Sequence, residues 1–206
     1  MRLLEGSVND GKLIVFEGID GCGKSTQLAF AAEALRAEGR HVVETREPTD
    51  GTFGQRIRAM ARSDERVSPN TELEWFVEDR REHYRDVIEP GLSAGHIVLS
   101  DRSYLSTVAY QGARGLDPAE ILANSEAEFR SPDLALLFVL DPEAGMKRIE
   151  SRGAVLEVAF EEVGFQQRVA AVFESLDIEY LVRIDAAREP RAIAADVLSA
   201  IGRLFD

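Results

Sequence analysis

An α/β fold is predicted, with a five-stranded parallel sheet in the order 2-3-1-4-5 and helices on both faces. Three observations carry this expectation. Short apolar runs alternate with helix-forming stretches along all 206 residues. The connections between them are short, as crossovers on a parallel sheet require. The first apolar run also leads straight through a glycine-rich turn into a helix, the sequence strand–turn–helix of a phosphate-binding loop.

That first run is Leu13-Ile14-Val15-Phe16-Glu17, with strand one placed at 12–17. The turn Gly18-Ile19-Asp20-Gly21-Cys22-Gly23-Lys24-Ser25 fits G-x-x-x-x-G-K-[ST] at every fixed position. Glycines let successive backbone N–H groups face phosphate oxygens, and the helix N-terminus adds partial positive charge. Lys24 reaches the β- and γ-phosphates in such a loop, the Ser25 hydroxyl ligates Mg²⁺, and Thr26 opens the helix at 24–37. The chain holds only three lysines (Lys12, Lys24 and Lys147), so the one at this position is no accident of composition. A nucleoside triphosphate with Mg²⁺ is the expected ligand, and the fold is specified as that of a P-loop NTPase.

Gly39 sits where a helix C-cap glycine belongs, and strand two follows at His41–Thr45. It ends in Arg46-Glu47-Pro48. An arginine at the carboxyl end of a parallel strand lies at the ligand-binding edge, although a solvated arginine before a proline turn reads equally well. Helices are expected from Thr52 to Arg62 and from Pro69 to Leu92. On the second, Phe76 and Arg80 stand four apart and share a face, which suits either core packing or an aromatic plate beside a guanidinium.

Strand three, His96–Ser100, ends in Asp101-Arg102. A carboxylate there can hold Mg²⁺ or its waters, and the arginine can clamp a second phosphate; capping of the next helix is the plainer role for the acid. Ser106, Thr107, Tyr110 and Gln111 follow with hydroxyls, a phenol and an amide. Strand four is Leu134–Leu140, followed by a helix at 143–151 that carries Lys147 and Arg148, with Arg152 just beyond. A helix at 165–175, strand five at Ile178–Ile184 and a last helix from Pro190 to Phe205 complete the chain, which reads as one domain.

Composition excludes several classes. A single cysteine leaves no disulfide framework and no cysteine-rich zinc site. No apolar run reaches the ~20 residues of a membrane span, and Met1-Arg2-Leu3-Leu4-Glu5-Gly6 lacks the pattern of a signal peptide, so a cytoplasmic location is expected. The net charge of −13 argues against binding a nucleic acid polymer and requires any phosphate site to be a local island of Arg, Lys and Mg²⁺.

These motifs together resemble the thymidylate kinases, which transfer the γ-phosphoryl of ATP to dTMP. The resemblance runs through most of the chain. It is carried by Phe16 to Gly21 leading into Gly23-Lys24-Ser25-Thr26-Gln27, by Thr45-Arg46-Glu47-Pro48, and by Phe76 to Arg80. It continues in Asp101-Arg102, Leu105-Ser106-Thr107 with Ala109-Tyr110-Gln111-Gly112, and Pro132-Asp133. The resemblance implies that Asp20 hydrogen-bonds the deoxyribose 3′-hydroxyl, and that Arg46 and Arg102 hold the monophosphate while Asp101 places Mg²⁺ or its water. It further implies that Phe76 stacks on thymine, Arg80 reaches the base edge or the phosphate region, and Thr107 reads the base. Tyr110 would then close off the space of a ribose 2′-hydroxyl. A homodimer is implied as well.

The pattern departs from the family in two places. Members supply a cation to the transferring phosphoryl from the P-loop or from a mobile lid; Cys22 occupies the loop's variable position, so Arg148 or Arg152 must provide it from a short lid around 148–164. That lid continues as the unusually apolar Ala154–Phe160. Cys22 reads as a small residue in a tight turn, or as a redox-sensitive thiol beside a helix N-terminus, which lowers thiol pKa. A kinase for another nucleoside monophosphate, and a nucleotide-binding switch that has lost transfer, remain the alternative functions.

Overall fold

The computed structural model describes residues 11–63, 66–151 and 163–205. Five parallel strands form one sheet: β1 (Lys12–Glu17), β2 (Val42–Arg46), β3 (Ile97–Asp101), β4 (Leu134–Val139) and β5 (Leu181–Asp185). Their order is β2-β3-β1-β4-β5, as expected from the sequence. The chain reverses its direction of winding between β3 and β4, on either side of β1. That is the switch point of an open parallel sheet, where ligands bind beyond the carboxyl ends of the strands.

Register decides which side chains share that edge. Phe16 lies beside Asp101, and Asp101 in turn beside Arg46. The ends of β1, β3 and β2 therefore deliver Glu17, Asp101-Arg102 and Arg46-Glu47 side by side. Strands β1 and β4 carry near-continuous apolar runs because both of their faces are covered. Leu13, Ile14, Val15, Phe16, Leu136 and Phe138 are all at most 1% exposed.

The helices are α1 (Lys24–Ala37), α2 (Thr52–Ala61), α3 (Pro69–His83), α4 (Glu89–Ser93), α5 (Tyr104–Ala113), α6 (Pro118–Glu128), α7 (Pro142–Ser151), α8 (Val163–Ser175) and α9 (Pro190–Gly202). A π-helical turn, Tyr84–Ile88, joins α3 to α4, so the helix expected from Pro69 to Leu92 runs through without a break but with one wider turn. Strand β3 includes Asp101, one residue beyond the expected end, because its carbonyl accepts from the Glu47 N–H at 3.0 Å. Strand β5 starts at Leu181, three residues after the expected start, since the Leu181 N–H closes a turn onto Ile178. Helix α6 has no counterpart in the sequence reading. Its signal was nevertheless present: Asp117 caps the Ala119 N–H at 2.9 Å, Pro118 takes the first position and Glu120 the first turn.

Helix α1 packs with α9, and α5 with α6 and α8, while α7 reaches back to the phosphate loop. At that contact Gly21 has φ +77°, and a Cβ on it would stand 2.2 Å from the Gly145 carbonyl oxygen of α7. Both a left-handed backbone and close backbone approach are required there, and only glycine supplies both. Gly21→Ala is expected to cost about 1–3 kcal/mol, seen as a thermal midpoint lowered by several degrees. An unchanged midpoint would show that the loop and α7 can separate freely.

Candidate active site

The loop from Gly18 to Ser25 wraps the N-terminus of α1 with Gly18, Gly21 and Gly23 at positive φ. Lys24 is buried beneath it, and its Nζ donates to the carbonyls of Gly18 (3.0 Å) and Ile19 (2.9 Å). Beside it, the Ser25 hydroxyl donates to Asp101 Oδ2 at 2.5 Å. Asp20, Gly21, Gly23, Lys24, Ser25, Thr26, Arg46, Asp101 and Arg102 line a single cavity of about 230 Å³. Nine of the expected site residues thus meet at one place. Gly18, Ile19 and Cys22 shape the loop from behind.

Arg102 is the hinge of the site. It adopts φ +81°, the one non-glycine residue in the left-handed region among the described residues. Its N–H donates to the Phe16 carbonyl at 3.0 Å and its carbonyl accepts from the Ser100 hydroxyl at 2.7 Å. The guanidinium pairs with Asp20 Oδ1, donates to Ser106 Oγ at 3.0 Å and stands 5.0 Å over the Tyr110 ring. Asp20 also accepts from the Tyr110 hydroxyl (3.0 Å) and from Gln166 Nε2 (3.1 Å) on α8. Burial alone would raise the Asp20 carboxyl, but Arg102 and Lys24 outweigh it and hold the group below its ordinary value. Burial pushes the Tyr110 phenol well above its usual range, so it remains a proton donor.

A second cavity, about 100 Å³, opens on the other side of Asp20 and Arg102. Its walls are Phe76, Thr107, Tyr110 and Ser106 with Pro48, Ile57, Arg58 and Ala61. One aromatic face, a hydroxyl pair and aliphatic side chains suit a flat heterocycle with a few polar atoms. Phe76 is thus a cavity wall as well as a helix-face apolar residue.

Not every expected group faces these cavities. Arg80 stands behind Thr107 and is 1% exposed. Its Nε and Nη2 clasp Glu47 at 3.0 and 2.6 Å, Nη2 also donates to Thr107 Oγ1 at 2.9 Å, and Nη1 is buried with no hydrogen-bond partner. Gln111 is wholly buried and lines neither cavity. Arg46 extends outward, where it meets Asp50 at 3.2 Å. Arg148 Nη2 donates to the Ala186 carbonyl at 3.0 Å, on the turn after β5. Arg152 and the run 154–160 lie outside the described residues. Cys22 is buried, and burial raises its thiol pKa, which corrects the redox-sensitive reading: desolvation outweighs the attraction of Lys24.

Several polar groups here were not singled out from sequence. Glu17 is fully buried and accepts from the hydroxyls of Ser103 (2.7 Å) and Ser106 (2.6 Å), pinning the segment after Arg102; burial drives its carboxyl upward. A charged residue closing an otherwise apolar strand was its signal. Gln166, distant in sequence, had none. Arg58 donates to the Pro48 carbonyl at 2.9 Å and pairs with Asp50 at the cavity mouth.

The donor set around Ser25 and Asp101 consists of hard oxygens, which fits Mg²⁺: that ion keeps several waters and takes one or two protein oxygens plus phosphate oxygens. Among the described residues there is no cluster of three or more His, Cys, Asp or Glu side chains that would hold a metal on its own. No described helix is long and apolar enough to cross a membrane.

Comparison with known proteins agrees in one direction. The profile of the thymidylate kinase family matches residues 16–197. The thymidylate kinase of Desulfotalea psychrophila is 45% identical over 200 residues, covering 97% of this chain and 98% of its own. The thymidylate kinase of Akkermansia muciniphila is 40% identical, covering 95% and 93% of the two chains. A probable thymidylate kinase of Archaeoglobus fulgidus is 38% identical, covering 92% and 94%.

Glu47 resembles Asp20 in its electrostatics: burial would raise its carboxyl, yet Arg80 and His83 hold it below the ordinary range. A depressed carboxyl stabilises the folded state above its unfolded value, about 4, and that contribution is lost as pH falls through the lower folded value. Glu47→Gln leaves Arg80 buried without its anion. It should cost about 3–5 kcal/mol at neutral pH and give a shallower loss of stability as pH falls below about 4. Parallel stability–pH curves for variant and wild type would contradict the assigned shift.

Proposed function

The chain belongs to the thymidylate kinase family, and from that premise we infer that it transfers the γ-phosphoryl of ATP to dTMP, giving dTDP. The observation that carries this reading beyond family membership is the pair of cavities meeting at Asp20 and Arg102, one walled by phosphate-binding groups and the other by an aromatic face. Two anionic substrates brought end to end between them would react in line. Phosphoryl transfer asks little covalent help of the protein; it asks for positioning and charge neutralisation.

The chain's own groups divide that work as follows. The loop N–H groups and Lys24 take the ATP phosphates, with Lys24 exchanging the carbonyls of Gly18 and Ile19 for charged oxygens, which are stronger acceptors. Ser25 and Asp101 hold Mg²⁺, which when bound neutralises charge on the phosphates. Arg102, with Arg46 swinging from Asp50, takes the acceptor phosphate. Asp20 has about four acceptor positions, of which Arg102, Tyr110 and Gln166 occupy three, leaving one for the 3′-hydroxyl. Tyr110 fills the space beside it. Phe76 stacks on the base, and Thr107 addresses its edge with Arg80 behind it.

The cation at the transferring phosphoryl is assigned to Arg148 or Arg152, on a short lid around 148–164 of an otherwise single domain. Arg148 would have to release the Ala186 carbonyl to act. A homodimer in the cytoplasm is part of the same reading, and light scattering on the purified chain tests the dimer.

An ADP-release assay with ATP, Mg²⁺ and a panel of nucleoside monophosphates tests the activity. Turnover should be strongest with dTMP, with dUMP behind it and little ADP without acceptor. Equal turnover across the panel would point to a broader kinase, and none at all to a nucleotide-binding switch. Lys24→Ala and Arg102→Ala should each lower kcat by about 10²–10³-fold. Phe76→Ala should chiefly raise the dTMP KM by about tenfold, since stacking acts alike in ground and transition states. Wild-type activity in Arg102→Ala would remove the acceptor-site assignment.

A further inference from the structure

A buried histidine extends the chain of polar groups that stands behind Thr107. His83, at the end of α3, is 2% exposed; it lines neither the 230 Å³ nor the 100 Å³ cavity but the wall of an open cleft of about 670 Å³ that also reaches Thr45, Arg46 and Asp101. Its Nδ1 lies 3.0 Å from Glu47 Oε1 and its Nε2 lies 2.6 Å from Thr45 Oγ1 at the end of β2. Glu47 is then held from two sides. Its Oε2 takes Arg80 Nε and Nη2 at 3.0 and 2.6 Å, whereas its Oε1 has Arg80 only at 3.3 Å and His83 closer. Arg80 passes the chain on to Thr107 Oγ1 at 2.9 Å, on the wall of the base-side cavity.

We propose that His83 is a positioning residue for base recognition, which by fixing Glu47 sets both the plane of Arg80 and the donor polarity of the Thr107 hydroxyl. The proposal rests on the dTMP reading above. Its first part is geometric. A carboxylate clasped by one guanidinium can still rotate with it as a unit. A second donor on the other oxygen stops that rotation, and His83 is the group that supplies it.

The second part follows from proton bookkeeping. An ionised carboxylate only accepts, so His83 Nδ1 carries a proton and donates to Glu47 in either protonation state. Arg80 has no acceptor atom, so Thr107 Oγ1 must accept from it. The Thr107 hydroxyl proton is thereby left to donate, and it makes no hydrogen bond among the described residues. Arg80 Nη1 is likewise a buried donor with no partner. On the cavity wall the Thr107 hydroxyl is consequently a donor, with the Arg80 guanidinium behind it. Such a wall suits a 4-oxo pyrimidine and leaves a 4-amino one with donor facing donor, a mismatch that costs far more than a missing methyl group.

Steady-state kinetics on the full chain with dTMP, dCMP and ATP tests this. His83→Leu should raise the dTMP KM about tenfold, leave kcat within about twofold and the ATP KM unchanged, and reduce the dTMP-over-dCMP preference about tenfold. His83→Gln, which keeps one donor and one acceptor, should restore most of both. Thr45→Val removes the far hydrogen bond at nearly constant volume, and should raise the dTMP KM and lower the preference by about threefold. This variant and His83→Gln carry the test if His83→Leu fails to fold.

Leu and Gln variants with equal kinetics, an ATP KM rising in step with that of dTMP, or an unchanged preference in Thr45→Val would each overturn the proposal. A wild type active on dTMP with such variants would leave the function intact and remove only the role of His83. A wild type inactive on every monophosphate would remove both.

Discussion

Arg102 holds its backbone in the left-handed region and its guanidinium against Asp20, so it ties the end of β3 to the tip of the phosphate loop on β1. Strand register brings those two ends together, but register alone leaves both side chains free. The ion pair fixes them relative to each other, and Glu17, Ser100, Ser103 and Ser106 fix the backbone on which Arg102 sits. A buried pair of this kind is weak evidence for stability, because desolvation offsets most of the attraction. What it does provide is a defined boundary between two cavities. A left-handed arginine, disfavoured at an ordinary position, fits a site where the surrounding structure over-determines it.

Charge explains why that boundary is so heavily supported. A chain of net charge −13 repels both of the anionic substrates assigned to it. Attraction must come from a small concave region, where low-dielectric walls focus the field of a few cations. Lys24, Arg46 and Arg102 converge on one cavity for that purpose. The carboxylates placed among them serve as partners: Asp20 orients Arg102, Asp101 faces Ser25, and Glu47 anchors Arg80. On the base side the demand changes from charge to shape and polarity, and the side chains change with it, to Phe76, Thr107 and Tyr110.

The strand–loop–helix unit was legible because three local signals coincide there: an apolar run, glycines at fixed spacing, and helix formers. Sheet order followed from topology. Element ends were less legible, since the end of β3 depends on the hydrogen bond from the Glu47 N–H and the start of β5 on the turn that the Leu181 N–H closes onto the Ile178 carbonyl. At the site, residues contiguous in short motifs were found, whereas those supplied by distant elements were not. Gln166 reaches Asp20 across 146 positions, and Glu47 reads as a turn residue until the structure sets Arg80 and His83 against it. Cys22 shows the converse limit: its place at a helix N-terminus lowers a thiol pKa in general, but burial beneath the loop reverses the sign.

In the proposed arrangement the two cavities hold the two nucleotides end to end across the Asp20–Arg102 boundary. The most direct measurement is a crystal structure of the chain with dTMP, Mg²⁺ and a non-hydrolysable ATP analogue. Thymine should stack on Phe76, with the acceptor phosphate on Arg102 and the γ-phosphate above Lys24 on the same side of Asp101. Thymine outside the Phe76–Thr107–Tyr110 cavity, or an acceptor phosphate bound away from Arg102, would contradict it.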